Sequence, residues 1–381
     1  GEVGMKENTH STPMADSDET ETKVGLVDLA EALDNEGMVG FTRAFADDLQ
    51  KGLAHATPEH FPWMKDIAHS QWDGIVCLGM GGSAAGGDFV SALSGFHGTL
   101  PIIIQRDYVL PSWWKPSWLI LSTSHSGNTE EALEATETAL KAGATAIIIS
   151  TGGILSGMPE LYPNCFLIPS VAGQPPRTAF GHIFSRQLGL LRGIGVLPTP
   201  REGADDAMFA RLQKACDGFD ILNDPEGDVA QLALCMLERP IALLGPTELQ
   251  PALNRFKNQL NENSARFARI GVIPEMNHNE SVAWGGVGSD QDATAVEHVL
   301  LLLTWQGMHR QVNKRMDWMV AHAATDYAWK IAGEGNSLLE SLLHLCILMD
   351  WISLALAFLH GKDPAAIGPI MALKAHLESV Q

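Results

Sequence analysis

Closely spaced cysteine pairs are missing from this chain. Its five cysteines, Cys77, Cys165, Cys216, Cys235 and Cys346, are scattered and odd in number. That excludes a CxxC zinc site and a disulfide framework, and reads as reduced thiols in a cytoplasmic protein. Basic charge is scarce: 25 Lys and Arg stand against 45 Asp and Glu, a formal net charge of −20. A surface so negative argues against nucleic-acid or anionic-membrane partners. Charged residues of both signs make up 18% while hydrophobic ones reach 45%, which excludes disorder for the chain as a whole. No clean membrane-length apolar run occurs either. The nearest, 338–359, contains Glu340, His344 and Asp350, and so reads as a packed helix. Residues 1–23 are polar and acidic, without the apolar stretch of a signal peptide, and are expected to form a flexible tail.

What is present is apolar texture of two kinds. Helical spacing runs through 24–70, as in Leu26, Leu29, Leu33 and then Phe41, Phe45, Leu49. Short continuous apolar runs follow at 74–78, 101–105, 118–122, 145–150 and 165–169, with helix-length segments at 83–93 and 129–142. Buried strands alternating with helices predict an α/β unit, a doubly wound parallel sheet of flavodoxin-like type. A Pro-, Gly- and charge-rich break covers 196–206, after which strands are expected at 240–244, 268–273 and 299–304. A helix is expected over 249–262, and two more over 336–360 and 364–379. At 381 residues the chain suits two domains. The expected division is a tail (1–23), N-terminal helices with a first α/β domain (24–195), a linker or helical connection (196–236), and a second α/β domain with C-terminal helices (237–381).

Two glycine- and serine-rich turns in the first half each follow a strand and open a helix. One is Gly79-Met80-Gly81-Gly82-Ser83, the other Ser122-Thr123-Ser124-His125-Ser126-Gly127-Asn128-Thr129. Glycine lets backbone N–H groups approach an anion, and the emerging helix adds unpaired donors. Hydroxyls extend the grip without adding charge, so Gly82, Ser83, Ser124, Ser126 and Thr129 are candidate phosphate ligands on an otherwise anionic protein. The plain alternative is a pair of tight turns in which Ser124 or Thr129 is an N-cap. No Gly-Lys-Ser/Thr follows, which excludes a P-loop, and the spacing before Asp107 does not fit a dinucleotide fingerprint. Turns at adjacent strand ends would share one crevice.

The GMGGS turn, followed about forty residues later by SxSGxT, resembles the sugar isomerase (SIS) fold. Four further elements occur in order: Pro176-Arg177, Asn261-Glu262-Asn263, Pro274-Glu275-Met276-Asn277-His278-Asn279-Glu280, and Asp363-Pro364 leading to Leu373-Lys374. With them the resemblance narrows to the bifunctional phosphoglucose/phosphomannose isomerases. It implies two SIS domains, a homodimer, no cofactor and no metal, and aldose–ketose isomerisation of hexose 6-phosphates. An enediol(ate) path needs a base over C1 and C2, a cation for the oxyanion, and an acid to open the ring.

The resemblance gives these roles to Glu262 (base), Arg177 (enediolate), and His278 with Lys374 (ring opening). It also implies that His278 can be donated across the dimer interface. The residues themselves permit this and less. Glu262 ends an apolar helix beside two amides, yet most glutamates are surface carboxylates. Arg177 has a fixed charge behind two prolines, and could equally be a loop salt bridge. A metal cluster of Glu275, His278 and Glu280 lacks a second spaced histidine. Lys374 is expected on the buried face of its helix with Ile367, Ile370, Met371 and Leu377, where it would need a partner or snorkel. His125 stands where the family has an aromatic. The rivals are a phosphosugar-binding regulator without catalysis, and an isomerase of another sugar phosphate.

Overall fold

In the computed structural model, residues 25–380 are described, and the tail expected over 1–23 lies outside them. Four short helices open the chain, α1 (Leu26–Leu33), α2 (Met38–Arg43), α3 (Phe45–His55) and α4 (Trp63–Ala68). The first sheet unit runs β1 (Gly74–Leu78), α5 (Gly81–His97), β2 (Ile102–Gln105), β3 (Trp118–Ser124), α6 (Glu130–Lys141), β4 (Ala146–Ser150), α7 (Gly153–Leu161), β5 (Cys165–Pro169) and α8 (Phe180–Gly193). Helices α9 (Ala204–Phe219) and α10 (Asp228–Met236) connect it to the second. That unit comprises β6 (Ile241–Pro246), α11 (Gln250–Ser264), β7 (Ala268–Ile273), α12 (Ser281–Trp284), β8 (Val299–Thr304), α13 (Arg310–His322) and β9 (Tyr327–Ala332), before α14 (Leu338–Leu359) and α15 (Gly368–Ser379).

Both sheets are parallel, in the orders β2-β1-β3-β4-β5 and β7-β6-β8-β9. The first is the flavodoxin-like order, whose switch point lies between β1 and β3. The two Ser/Gly turns therefore leave neighbouring strands at the same sheet edge. Strand alternation decides which layer each side chain joins. Ile75, Cys77, Leu119 and Leu121 face one large core that also takes Ile241, Leu243, Val299 and Leu301 from the second sheet. Val76, Leu78, Ile120 and Ile148 face a second core, and Ala242, Leu244, Leu300 and Leu302 a third.

The expected strands are present, and the one beginning at Trp118 runs on to Ser124. Strand β9 was not anticipated: only Ala328 and Ile331 are buried along it, so its apolar pattern is thin. The connecting stretch is itself helical, with Met208, Leu212, Cys216, Val229 and Leu232 buried in the large core. Helix α14 is long and apolar enough to cross a membrane, but 94% of its most apolar window is buried within the fold. It is the axis on which α9, α10 and α11 pack.

Candidate active site

Helix α5 begins at Gly81, so Gly81, Gly82 and Ser83 sit where backbone N–H groups lack intrahelical acceptors. The Ser83 hydroxyl accepts a hydrogen bond from His125 N at 2.9 Å, which ties this turn to the loop after β3. Within that loop Ser124 Oγ and Thr129 Oγ1 are 2.8 Å apart, and Ser124 Oγ also accepts from Gly127 N at 3.0 Å. Ser126 Oγ accepts from Asn128 N at 3.1 Å. Gly127 has φ +76, and a Cβ there would lie 1.8 Å from Gly152 O, so no side chain fits. Thr129 precedes α6 but caps none of its N–H groups. Its hydroxyl serves the loop, so the plain N-cap reading does not describe it. Ser83 and Ser126 each accept an N–H and retain a hydroxyl hydrogen to offer an anion.

The His125 ring is buried, and burial pushes its pKa down. It acts through its backbone: besides donating to Ser83, His125 O accepts from the Thr151 hydroxyl at 2.6 Å. The loop is thus braced on both sides although the family's aromatic is absent.

Arg177 joins the two halves. A Cβ on Gly82 would come 3.0 Å from Arg177 N, so the cradle turn lies directly against the Arg177 backbone. The buried guanidinium reaches the second half, with Nη1 3.1 Å from Glu262 Oε2, Nε donating to Asn263 Oδ1 at 2.7 Å, and Nη2 to Pro364 O at 2.6 Å. Burial lowers the Arg177 pKa, with Glu262 opposing that shift and Arg255 reinforcing it. The Glu262 side chain keeps 26% of its surface exposed, against 3% for Arg177. It is a partly buried carboxylate, neither sealed nor free in solvent.

The structure does not bring the other two candidates into this contact. His278 ends a short 3-10 turn (Glu275–His278) and is exposed. Lys374 contradicts the expected buried face: no residue of α15 is buried, and Ile370, Met371, Leu373 and Leu377 are exposed beside it. The helical spacing is real, but among the described residues nothing buries that face. The lysine whose charge does feel Arg177 and Glu262 is Lys362, half-buried, whose pKa is lowered by burial and then by Arg177, against the raising effect of Asp363 and Glu262. Its Nζ donates to Asp363 O at 2.7 Å and Ala366 O at 2.9 Å, stiffening the segment that supplies Pro364 O. Sequence reasoning missed Lys362 because an isolated lysine in a loop carries no periodic signal. The rival Glu275–His278–Glu280 metal cluster, already short of a second histidine, is not assembled: among the described residues no three His, Cys, Asp or Glu side chains are grouped to hold a metal, and Glu280 pairs with Arg269 at 3.2 Å.

Residues 226–377 match the family model described as the bacterial phospho-glucose isomerase C-terminal SIS domain. The chain is 31% identical over 325 residues to a bifunctional phosphoglucose/phosphomannose isomerase of Aquifex aeolicus, covering 84% of this chain and 95% of that protein. It is 31% identical over 319 residues to one from Caldicellulosiruptor bescii, covering 81% and 91%. Among solved structures, the C-terminal domain of glucosamine-fructose-6-phosphate aminotransferase from Francisella tularensis superposes with a TM-score of 0.65 at 12% identity, covering 88% of this chain and 98% of that one. At that identity the likeness speaks for the two-SIS fold alone.

Proposed function

The chain belongs to the bifunctional phosphoglucose/phosphomannose isomerases, and on that premise we propose that it interconverts glucose 6-phosphate, and mannose 6-phosphate, with fructose 6-phosphate. One observation carries the reading: Arg177 touches the phosphate-cradle turn with its backbone and Glu262 with its guanidinium. A hexose 6-phosphate gripped at one end by Gly82, Ser83, Ser124, Ser126 and Thr129 would then extend its C1–C2 end toward that ion pair.

In this scheme Glu262 takes the proton from C2 of the opened aldose. The electrons move to the carbonyl oxygen, and the enediolate is stabilised by Arg177. The hydroxyl proton on O2 passes to O1, and return of the abstracted proton to C1 then leaves the carbonyl at C2, which is the ketose. The enediolate carries no stereocentre at C2, so glucose and mannose phosphates meet in one intermediate. Arg177 is tied at Nε and Nη2, so its Nη1 is aimed before substrate arrives, which is the preorganisation such a step needs.

His278, with Lys374, opens the sugar ring in this reading. Both stand at the surface of the single chain, which favours a homodimer in which His278 of one subunit completes the site of the other. The scheme uses side-chain acid–base groups alone, in two SIS domains (24–195 and 237–381) joined by 196–236, in a cytoplasmic enzyme.

A coupled assay for fructose 6-phosphate formation, run with and without EDTA, tests this. The expected result is turnover that EDTA leaves unchanged, and a Glu262→Gln variant slowed about 10²–10⁴-fold while calorimetry still shows phosphosugar binding. Full activity in that variant would remove Glu262 as the base. Binding of glucose 6-phosphate without turnover by the unmodified protein would leave a phosphosugar sensor, and turnover of a different sugar phosphate alone would change the substrate.

A further inference from the structure

Behind the Arg177–Glu262 pair lies a closed circuit of hydrogen bonds that involves no group of the proposed mechanism except Arg177. Arg255 Nη2 donates to Arg177 O at 3.2 Å and to Asp350 Oδ2 at 3.1 Å. Asp350 O accepts from Ser353 Oγ at 2.8 Å, and Ser353 Oγ accepts from Asn263 Nδ2 at 3.0 Å. Asn263 Oδ1 accepts from Arg177 Nε at 2.7 Å, which closes the ring. Gln259 Nε2 adds a donor to Asp350 at 3.0 Å, and Arg255 lies over the Phe180 ring at 4.3 Å. All five ring members, Arg177, Arg255, Asn263, Asp350 and Ser353, are buried.

We propose that Asp350 and Ser353 of α14 are positioning residues that hold the Arg177 guanidinium in register with Glu262. A carboxylate on the most deeply buried apolar helix of the protein is costly to keep there unless it is paired. Burial pushes Asp350 up while Arg255 and Gln259 pull it down, so the aspartate is retained against its own desolvation. Charge explains the arrangement. Arg177 and Arg255 sit close enough to disfavour each other's charge, and each has its own carboxylate, Glu262 beside Arg177 and Asp350 beside Arg255. The ring fixes Arg177 at its carbonyl and at Nε, from opposite ends of the residue. Nη1 is left directed at Glu262, and a slip of the ring at Nε would move the cation relative to the reacting carbons, while the hydroxyls of Ser83, Ser124, Ser126 and Thr129 bond to other partners than the ring members.

This inference rests on Arg177 and Glu262 being the catalytic pair, so Glu262→Gln is measured alongside. The test is Ser353→Ala, with kcat expressed per phosphosugar-binding site titrated by calorimetry, so that loss of folded protein does not register. The expected result is a kcat lowered about tenfold with KM for glucose 6-phosphate within twofold, since a displacement well under 1 Å suffices for such losses. Ser353→Thr, which keeps the hydroxyl, should recover most of it. Asp350→Asn should lower kcat further in the same pattern, and if it fails to fold, Ser353→Ala and its rescue decide alone. An unchanged kcat per site in Ser353→Ala, or a loss seen only in KM, overturns the positioning role when Glu262→Gln is inactive. An active Glu262→Gln overturns the site itself, and this role with it.

Discussion

Asp48 and His182 lie face to face on α3 and α8, with His182 Nε2 3.3 Å from Asp48 Oδ1. Geometry alone suggests an ion pair, but burial favours the neutral form of each. It raises Asp48 to about 6, helped by Asp47 and opposed by Lys51 and Arg186. It lowers His182 to about 4, reinforced by Arg186, Lys51 and His125. The signs then follow. A carboxyl raised in the folded state contributes stability below its unfolded value and loses it as pH rises toward about 6. Asp48→Asn should therefore melt higher than the parent protein at pH 7.5, by on the order of 2 kcal/mol. That advantage should shrink as pH falls through about 6. Melting curves across this range check it, and an advantage that grows toward acid would show that the pair is charged. At this scale the chemical types of Glu262 and Arg177 were legible, because each stands in a distinctive local string. Asp350 was visible only as a charge too many for a membrane helix. Its partners, Arg255 and Gln259, lie on another helix, and no local pattern names them.

Helix α14 shows what an element can and cannot announce. Ser337 Oγ accepts from Glu340 N at 3.1 Å, which caps the first turn, and Glu340 Oε1 accepts from Asn336 N, one residue before the cap, at 3.3 Å. The same carboxylate is gripped by Arg211 of α9, Nε to Oε2 at 2.9 Å and Nη2 to Oε1 at 2.6 Å. Ser337→Ala should cost about 1 kcal/mol of stability and leave kcat unchanged, because the cap lies at the far end of the helix from Ser353. Denaturant titration with parallel assays measures both, and a loss of kcat without loss of stability would contradict this division along α14. The helix was readable from its apolar run, and its cap emerged only in the structure. Helix α15 was equally readable as a helix, with the same kind of spacing, yet its apolar residues are exposed. Periodicity marks which side chains share a face. It says nothing about which surface covers that face, or whether that surface belongs to the same chain.

At the scale of the whole molecule, two parallel sheets share one core, and the Arg177–Glu262 pair links the first half to the second. If His278 crosses a dimer interface, two dead variants should repair each other. Glu262→Gln and His278→Ala, unfolded together and refolded as a mixture, should recover about a quarter of full activity, since half the dimers are mixed and each of those holds one intact site. No recovery with confirmed mixed dimers would place His278 in its own chain's site. By itself the sequence determined every strand but β9, the two glycine turns and the layered α/β class, because each is encoded by residues a few positions apart whose burial or φ leaves a local trace. Only the tertiary structure decided that Arg177 meets Asn263, 86 residues away, and Pro364, 187 away, that Asp350 stands behind them, and that Lys374 lies on an uncovered helix. Such pairings depend on how two sheets dock around α14. Docking is selected by shape and charge over the whole core, and no single stretch of chain carries its record.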